Sequence, residues 1–548
     1  MRFRLRVTAV VALCTTALWL RPAGAQVAPR HWTPLPGLGG DSEDRVRLGH
    51  LFGTPGSDRF LLRAPSDALD SLPGAPRRFR WIALTPDVAV VDNSAITFSL
   101  NDGALWAGRG WSNLLRTGLR AQWGRVSLVL APELVSTENL PYAMPLSDVQ
   151  LARPPGRSPF STPWHVGDYS IDLPLRFGDR GFSRLDFGQS SLAVDAGSVV
   201  VGLSTENEWW GPGIRNAIVL SNNAAGIWRA FARTRQPVRT RVGTFAARWF
   251  LGGLFESPYF DATPADDRRS ITALATTWTP PGMPTLTVGA TRAVYAPLAG
   301  WEDVFGHAFD VLRGRGLRRL PGDSVSRPSR DQVYSLFARW VFPADGFAVH
   351  AEWARTDAPR SLRELLVAPN HSQGYTLGLE WARRVRAERD AFRVQAEITY
   401  LEKPPSFRNE AEFSFYTSAG SLQGYTQRGQ VIGAAIGPGA SSQWLAADYF
   451  APTWRVGAFG GRVRWDDDAL YTFPGYYLNK WCAHDVSLFA GVTGALQGRF
   501  GRVQATLTRG ERLNVFFYHL TWCEPDVFQN DVLDLINTTL AVRMTLTP

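Results

Sequence analysis

The chain has few cysteines, few lysines and only one long apolar run. Of its 548 residues three are cysteine. Cys14 lies within the apolar run, so Cys482 and Cys523 remain for the rest of the chain. Their spacing matches no metal site, and the histidines are scattered singly without a second ligand at metal spacing. In an oxidising compartment the two cysteines form either a disulfide or two separate thiols, and the sequence leaves both open.

The apolar run begins the chain and is typical of a secretory signal peptide. Basic residues precede it, it extends from Val7 to Leu20, and Ala23-Gly24-Ala25 supplies the small residues of a cleavage site. We predict that residues 1–25 are a signal peptide and that the chain is exported. A run of about 18 apolar residues, which a membrane helix needs, occurs nowhere after it. A helical membrane protein is therefore excluded.

A strong excess of charge is also missing. The formal net charge of +9 includes the arginines of the signal peptide, which leaves the exported chain only mildly basic. Lys403 and Lys480 are its only lysines. No basic run is interleaved with a recognisable nucleic-acid-binding fold, and the chain is exported, so nucleic acid is excluded as a partner.

Helical periodicity is missing over most of the chain, and strict alternation takes its place. Apolar residues alternate with polar ones over residues 347–354, 375–382, 392–400, 502–507 and 540–546. In strands of about ten residues this pattern suits a transmembrane barrel, whose apolar positions face lipid and whose polar positions face a wet interior. A large soluble β-sandwich or propeller would alternate too. Tryptophan or tyrosine near strand ends, the signal peptide and the lack of a propeller repeat favour the barrel.

We therefore predict an all-β fold, a transmembrane antiparallel β-barrel of roughly 16–18 strands over residues 86–548. An Asp-Gly turn at Pro343–Gly346 joins two strands and is typical of the periplasmic side. Longer polar segments at 302–330 and 402–441 have room to be external loops or in-folded constrictions. Residues 26–85 differ in texture, with a helix start at Asp41 and a second short helical candidate at 58–63.

One stretch differs from an ordinary strand connection. Two tryptophans run into a Gly-Pro-Gly bend, and a short apolar strand then stops at a polar cluster. The residues concerned are Glu206, Asn207, Glu208, Trp209, Trp210, Gly211, Pro212, Gly213, Arg215, Asn216, Ser221, Asn222 and Asn223. The stretch resembles the segment that marks the capsule assembly protein Wzi family, outer-membrane β-barrels that hold capsular polysaccharide at the bacterial surface.

The resemblance implies a surface lectin-like barrel in the outer membrane that binds capsular or related exopolysaccharide and helps to assemble or anchor it. It implies no catalysis and no cofactor. The implied partners are the polysaccharide, outer-membrane lipid and the barrel assembly machinery, and the implied state is a monomer. The family closes the periplasmic end of its barrel with a small helical bundle, so residues 26–85 are where a helical plug is expected. The alternative is an outer-membrane channel for export or uptake of oligosaccharides or other polar solutes.

The motif itself has two interpretations. As a sugar site, its indole rings would stack on sugar faces while Asn, Glu and Arg neighbours bind hydroxyls or uronate carboxylates. As structure, Trp209 and Trp210 would be girdle or wedge residues beside a bend. For the motif as a whole we expect a polysaccharide-binding role, because a plain strand connection does not need so much polarity.

Three further groups have plain explanations. Regularly spaced acids such as Glu352 and Glu380 are what a wet lumen needs, and glycosidase carboxylates are the weaker interpretation. The triplet 466–468, Asp-Asp-Asp, predicts a solvated hairpin turn, with a calcium site as the alternative. His371 and Ser372 are adjacent, so on a strand they would face opposite ways and could not form a hydrolase pair. We predict no catalytic residues and no bound metal.

Overall fold

The computed structural model describes residues 32–546, apart from 36, 57–59, 70–78, 145–155, 166, 168–169, 265, 314–329, 360, 387, 409–413, 473–481, 500 and 518–533. The predicted signal peptide lies outside these residues. No helix in the described part of the chain is long and apolar enough to cross a membrane. Cys482 is disulfide-bonded, and Cys523, the partner considered for it, lies outside the described residues.

The alternating segments form long antiparallel strands, and only three short α-helices occur in the described chain. The helices are α1 (Asp41–Leu51), α2 (Leu362–Val367) and α3 (Asp467–Thr472). The strands are β1 (Leu62–Arg63), β2 (Arg80–Asn93), β3 (Gly110–Trp123), β4 (Val126–Leu130), β5 (Glu133–Thr137), β6 (Phe182–Asp186), β7 (Ser191–Asp195), β8 (Val199–Ser204), β9 (Trp209–Trp210), β10 (Trp228–Thr234), β11 (Val238–Thr240), β12 (Gly243–Phe255), β13 (Arg268–Thr279), β14 (Leu286–Pro297), β15 (Asp331–Phe342), β16 (Phe347–Arg355), β17 (Gln373–Val385), β18 (Asp390–Tyr400), β19 (Thr426–Gln427), β20 (Gln430–Val431), β21 (Ser441–Phe450), β22 (Trp454–Trp465), β23 (Asp485–Gly498), β24 (Gly501–Leu513) and β25 (Leu535–Leu546).

The wall is a closed antiparallel barrel of 18 strands. Three of the wall strands are interrupted, and each consists of two consecutive segments: β4 and β5, β6 and β7, and β10 and β11. The two segments of each strand pair with the same neighbouring wall strand. The barrel closes where β2 pairs with β3 on one side and with β25 on the other. The predicted fold is confirmed, at the upper end of the predicted strand number. The wall begins at Arg80, ahead of the boundary at residue 85 that the sequence suggested.

The two ends of the barrel differ in their connections. At one end, here the short-turn end, neighbouring wall strands are joined by two to six residues. The predicted Asp-Gly turn is one of these, since Phe342 pairs with Phe347 across it and Gly346 has a φ of 63°. At the other end, the long-loop end, the connections are much longer, and several of them fold back onto the wall or into the lumen.

The outer face of the wall is apolar, as the alternation predicts. Leu203, Leu336, Leu445 and Val492 are each more than half exposed, which in an outer-membrane barrel is surface for lipid. Polar partners of the same strands face inward and are buried, such as Glu352 at 0% exposure. This arrangement pairs the backbone of neighbouring wall strands and turns mainly apolar side chains toward the hydrocarbon, so the barrel is of the outer-membrane type.

The interior is filled on one side by two connections from the long-loop end. We call residues 205–227 the motif loop and residues 414–440 the inner loop. The hydroxyls of Tyr416 and Tyr425 donate to the carbonyls of Ile218 and Val219, at 2.7 and 2.8 Å. Apolar inward residues of β12–β16 pack against both loops. The lumen beside these strands is therefore dry, in contrast to the wet interior that the sequence predicts.

The N-terminal segment lies inside the short-turn end. Leu51 of α1 packs with Val341, Ala348 and Ala382 of the wall. Residues 62–63, which the sequence suggested as helix, instead form β1 and pair with β9 of the motif loop. The helical prediction for 58–63 is wrong at residues 62–63, because β1 and β9 satisfy each other's buried backbone amides, and residues 58 and 59 lie outside the described residues.

Charge on the outer face should destabilise the barrel. Val492, in the middle of β23, faces outward and is 54% exposed. We expect Val492→Arg to lower the free energy of unfolding in lipid vesicles by about 2–4 kcal/mol, since an arginine at the midplane of a bilayer loses its hydration. Urea titration of the reconstituted protein measures this. Val492→Leu is the matched control, and equal stability of both variants would contradict the assigned face.

Candidate functional site

The motif loop begins where β8 ends, and its first acids are bound by the protein itself. The carboxylate of Glu206 accepts hydrogen bonds from the backbone N–H and the hydroxyl of Ser66, at 2.9 and 3.0 Å. The carboxylate of Glu208 accepts from Trp210 Nε1 at 2.6 Å and from Arg229 at 2.8 Å. A second wall arginine, Arg248, lies 3.6 Å from it. Both acids are thus tied to neighbouring segments.

The two tryptophans of the motif are buried. Trp209 is 1% and Trp210 0% exposed, and together they form β9, paired with β1. The ring of Trp210 lies 5.4 Å from that of Phe250, and the guanidinium of Arg63 lies 5.1 Å over Trp209. Their faces are covered by protein. This placement supports the structural interpretation of the tryptophans, in which they wedge the bend into the barrel.

The Gly-Pro-Gly bend brings backbone close to the wall and to α1. Gly211 has a φ of +108°, and a Cβ there would lie 3.0 Å from Glu352 Oε2. At Gly213 a Cβ would lie 2.2 Å from the carbonyl of Asn216. The carbonyls of Pro212 and Gly213 accept from Arg47 of α1, at 3.2 and 2.9 Å. Glycine is required at both positions by the conformation or by the close approach.

Wall carboxylates hold the turn that follows the bend. Glu397 of β18 accepts the backbone N–H groups of Arg215 and Asn216, both at 2.9 Å, and that of Ile214. Glu352 of β16 accepts the N–H of Ile218 at 3.3 Å.

A third wall acid, Glu380 of β17, binds the arginines beneath the bend. It pairs with Arg47 at 3.3 Å and with Arg339 at 3.1 Å. The sequence predicts that Glu352 and Glu380 line a water-filled lumen, and this prediction is wrong. They are 0% exposed, and their oxygens replace water for buried amides and guanidinium groups.

The remaining polar residues of the motif join it to other loops. Asn207 donates to the carbonyl of Ala224 at 2.7 Å, and Asn216 donates to Ser442 Oγ at 3.1 Å. Ser221 and Asn223 donate to the carbonyls of Gly433 and Val431 on the inner loop. Asn222 donates to the carbonyl of Asn101 at 2.9 Å. The polarity of the motif is used within the protein.

Arg215 is the exception. Its guanidinium lies 5.7 Å over the ring of Trp444, and within the described residues it has no hydrogen-bond or ion-pair partner. It faces a chamber of about 330 Å³ that occupies the side of the lumen left free by the two loops. That volume is at the lower end of the range for small-molecule sites. Asn222 and Trp209 are the other motif side chains on its lining.

The chamber has a polar wall and aromatic corners. Inward threonines of β23–β25 line one side, and the aromatic residues that border it, besides Trp209, are Phe98, Trp444, Phe459 and Phe489. The other arginines on its lining are paired, as Arg116 is with Asp87 at 2.8 Å and Arg455 is with Asp448 at 3.0 Å. Segment 37–44 and α1 border it toward the short-turn end.

The chamber continues toward the long-loop end. A smaller cavity of about 30 Å³ shares Phe98, Phe489, Thr508 and Thr539 with it and extends to Glu511. Sequence reasoning missed Trp444, because an aromatic residue on an alternating strand is typical of the membrane girdle. The register shows that it faces inward, paired with Glu397.

The other groups considered from the sequence have structural roles. Asp467 and Asp468 are each 1% exposed. Asp468 accepts from the backbone N–H of Lys403 at 2.8 Å, and Asp466 accepts from Trp164 at 2.9 Å. The predicted solvated turn is therefore wrong, since these acids tie neighbouring connections together.

His371 Nδ1 lies 3.0 Å from Glu364 Oε1, at hydrogen-bond distance. Among the described residues, Glu256, Asp261 and Asp266 bring carboxylate oxygens within 4.8 Å of one another, and no second feature there points to a cation.

One protein family and several solved structures are similar to this chain. The model of the family described as capsule assembly protein Wzi matches residues 97–455, which include the whole motif loop, Glu397 and Trp444. No curated protein matches the sequence. Wzi from Escherichia coli, described as an outer-membrane protein involved in group 1 capsule assembly and a carbohydrate-binding β-barrel, has a similar structure, with a TM-score of 0.53 and 11% identity over 92% of each chain.

Two porin-like barrels are less similar. A BenF-like porin from Pseudomonas fluorescens Pf-5 has a TM-score of 0.38 at 9% identity over 86% of this chain and 100% of its own. OccK2 (OpdF) from Pseudomonas aeruginosa has a TM-score of 0.39 at 11% identity over 87% of this chain and 100% of its own. The similarity to these two porin-like structures is too weak to support any conclusion about this chain. The family model, in contrast, covers more than half of the sequence and includes its distinctive motif, and the chain belongs to the capsule assembly protein Wzi family.

Proposed function

We propose that this protein is a surface lectin-like barrel of the outer membrane, which binds capsular or related exopolysaccharide and helps to assemble or anchor it. Family membership supports the polysaccharide as ligand. The observation that carries the proposal is the chamber beside the motif loop, where the Arg215 guanidinium, without an ion-pair partner in the described part of the chain, lies over an indole ring. Nothing in this chemistry calls for turnover or a cofactor, and the protein acts by binding.

The sugar contacts are proposed for the chamber. Arg215 supplies a cation for a carboxylate or hydroxyl, Trp444 supplies an aromatic face, and the threonines of β23–β25 supply hydroxyls. The other motif residues position Arg215 and keep the motif loop in the lumen. A site of this size holds only a short part of a polymer, so affinity comes from many weak contacts repeated along the chain, at the surface as well as in the chamber.

The N-terminal segment is proposed to plug the short-turn end. Three contacts support this: α1 packs on the wall, β1 pairs with β9, and Arg63 pairs with Glu43 at 2.7 Å. Because residues 70–78 lie outside the described chain, the proposed plug is residues 32–69, followed by the wall from Arg80. A plugged barrel retains polymer outside the cell and does not conduct solutes.

Partners beyond the polysaccharide follow from the architecture. An outer-membrane barrel is surrounded by lipid and is inserted by the barrel assembly machinery, and we propose both as partners of this chain. Its wall closes on itself without an open edge, which removes one reason to associate. We therefore propose a monomer.

Removal of the plug should open the barrel. We expect the full-length protein to be closed in planar bilayers and a variant lacking residues 26–69, which keeps the whole of β2, to conduct ions. Single-channel recording measures this, with heat-modifiable gel mobility as the check that the variant is folded. A variant lacking only residues 26–31 is the control. A full-length protein that is steadily open would support the alternative, a channel for oligosaccharides or other polar solutes.

Loss of the unpaired cation should weaken polymer binding. We expect Arg215→Gln to reduce affinity for an acidic capsular polymer about tenfold or more, the equivalent of one charge-assisted hydrogen bond. Arg239→Gln, at an exposed arginine of β11, is the matched control. Surface plasmon resonance with immobilised polymer measures both. Equal binding of the wild type and Arg215→Gln would remove the chamber from the proposal.

Docking of the plug should depend on pH through Glu206. Burial raises the pKa of this carboxyl from 4.5 to about 7, so between these pH values the docked state holds a proton that the undocked state has lost. The contribution of Glu206 to docking is therefore most favourable below about pH 4.5 and falls as pH rises toward 7, by on the order of 1–3 kcal/mol. Burial lowers the pKa of His50 of α1 to about 3, which acts in the opposite sense below pH 6.5, so the Glu206 effect is the difference between the wild type and Glu206→Gln. Hydrogen exchange of residues 60–69 at pH 5 and pH 8 measures the change. The protection of the wild type relative to Glu206→Gln should fall between pH 5 and pH 8 while Glu511→Gln behaves as the wild type, and a relative change of the opposite sign would refute the assignment.

A further inference from the structure

Two connections of the long-loop end lie against the outer face of the wall. The first is 301–313, which contains 3₁₀ turns at Trp301–His307 and Asp310–Leu312. Phe250 faces inward, with its ring 5.4 Å from that of Trp210. Because successive side chains of a strand alternate, Trp249 faces outward. Its Nε1 donates to the carbonyl of Ala308 at 3.3 Å, so this connection passes over the outside of β12.

The register extends this outward row around the wall. Trp249 pairs with Leu274, and Leu274 pairs with Arg292. Arg292 pairs with Tyr334, and Tyr334 pairs with Arg355. Paired residues share a face, so two arginines and a tyrosine point out of the barrel near the long-loop end. Arginine that faces hydrocarbon is costly, and the cost falls toward the membrane interface.

Each outward arginine is covered by the connection beside it. Arg292 donates to the carbonyl of Val311 at 3.1 Å and to Gln332 at 3.0 Å. Arg355 donates to the carbonyl of Asp357 at 3.2 Å and is 0% exposed. The second connection, residues 357–371 apart from 360, contains α2, whose Glu364 lies 3.9 Å from Arg355. Both connections thus turn polar groups toward the wall.

The first connection also buries the carboxylate of its Asp310 and covers the outer face of the wall strands beneath it. Asp310 is 1% exposed and pairs with Arg330 at 3.1 Å and with His307 at 2.8 Å. Thr272 and Val294, which face outward, are only 1% and 2% exposed. The connection is therefore packed on the barrel.

Both connections also carry large apolar side chains that are exposed. Phe305 is 74%, Phe309 65%, Leu366 73% and Val367 75% exposed. We call the whole set the outer patch, and it consists of Trp301, Phe305, Phe309, Leu312, Leu362, Leu366 and Val367.

The outer patch continues the lipid-facing surface. Leu336 of β15 and Leu377 of β17 face outward two residues from Tyr334 and Tyr375, and are 56% and 43% exposed. Large exposed apolar patches mark an interaction surface, and this one joins the band that already faces lipid. We propose that the outer patch is immersed in the outer leaflet and binds the acyl chains of its lipids.

This immersion gives the barrel a taller apolar face on the side of β12–β17. The two connections replace a row of outward arginines with aromatic and aliphatic side chains, and so extend the hydrocarbon contact toward the long-loop end. A wall taller on one side favours local thickening of the membrane or a tilt of the barrel. The inference concerns the outer face and does not rest on the proposed polysaccharide site.

Fluorophore-labelled cysteine variants in lipid vesicles test the proposal. The labelled positions are Phe305→Cys and Leu366→Cys on the outer patch, Leu336→Cys as the reference in the lipid band, and Asp303→Cys, on the same 3₁₀ turn as Phe305, as the matched polar control. Quenching by lipids with a nitroxide on the acyl chain reports contact with hydrocarbon. Quenching by iodide reports contact with water.

We expect the labels at 305 and 366 to lose as much fluorescence to nitroxide lipid as the label at 336, and to resist iodide. The label at 303 should show the reverse. Labels at 305 and 366 that are as open to iodide as that at 303 would overturn the proposal. Protection from both quenchers, together with disulfide-linked dimers of Phe305→Cys, would overturn it in favour of a second copy of the chain.

Discussion

The interior of this barrel depends on wall carboxylates that bind backbone amides. A connection folded into a barrel would bury N–H groups without partners, and each such group costs about 1–3 kcal/mol. Glu397 accepts three consecutive N–H groups of the motif loop, and Glu352 accepts a fourth. Glu380 completes the set by pairing with Arg47 and Arg339. Without these acids the bend at Gly211–Gly213 would have no stable place inside the wall.

This anchoring divides the lumen into two unlike halves. On the side of β12–β16 the motif loop and the inner loop form an apolar core with the inward wall residues. On the side of β21–β25 the inward residues include threonines, paired charges and the aromatic residues Trp444, Phe459 and Phe489, and the chamber remains. The two halves meet at Arg215, which the carboxylate of Glu397 positions through its backbone N–H. The same interaction that packs the dry half therefore leaves a cation facing the open one.

The outer face is divided in a related way. Over β12–β17 the long connections pack on outward polar residues such as Arg292 and Arg355, whereas the described outer positions of β22–β25, such as Val492 and Leu507, lie open. Both in the lumen and on the outer face, a connection supplies hydrogen-bond partners for charged wall side chains that water does not reach. The strands that bound the dry half of the lumen are thus also the strands covered from outside.

Alternation, together with the aromatic strand ends and the signal peptide, was enough to predict the barrel and its lipid face, and the Asp-Gly pair was enough to predict the tight turn at Pro343–Gly346, because these depend on side-chain period and local turn chemistry. The motif was also recognisable, since two tryptophans before Gly-Pro-Gly are unusual locally. Its role was not. Whether Trp209 stacks on a ligand or is buried, whether Glu352 and Glu380 meet water or buried groups of the protein, and whether Trp444 faces lipid or a chamber all depend on partners that are distant in the sequence. The sequence by itself determined which residues could form the wall and which were polar. Only the tertiary structure decided which polar groups are satisfied within the protein and that the Arg215 guanidinium has no partner among the described residues, because that depends on how distant segments meet inside a closed barrel.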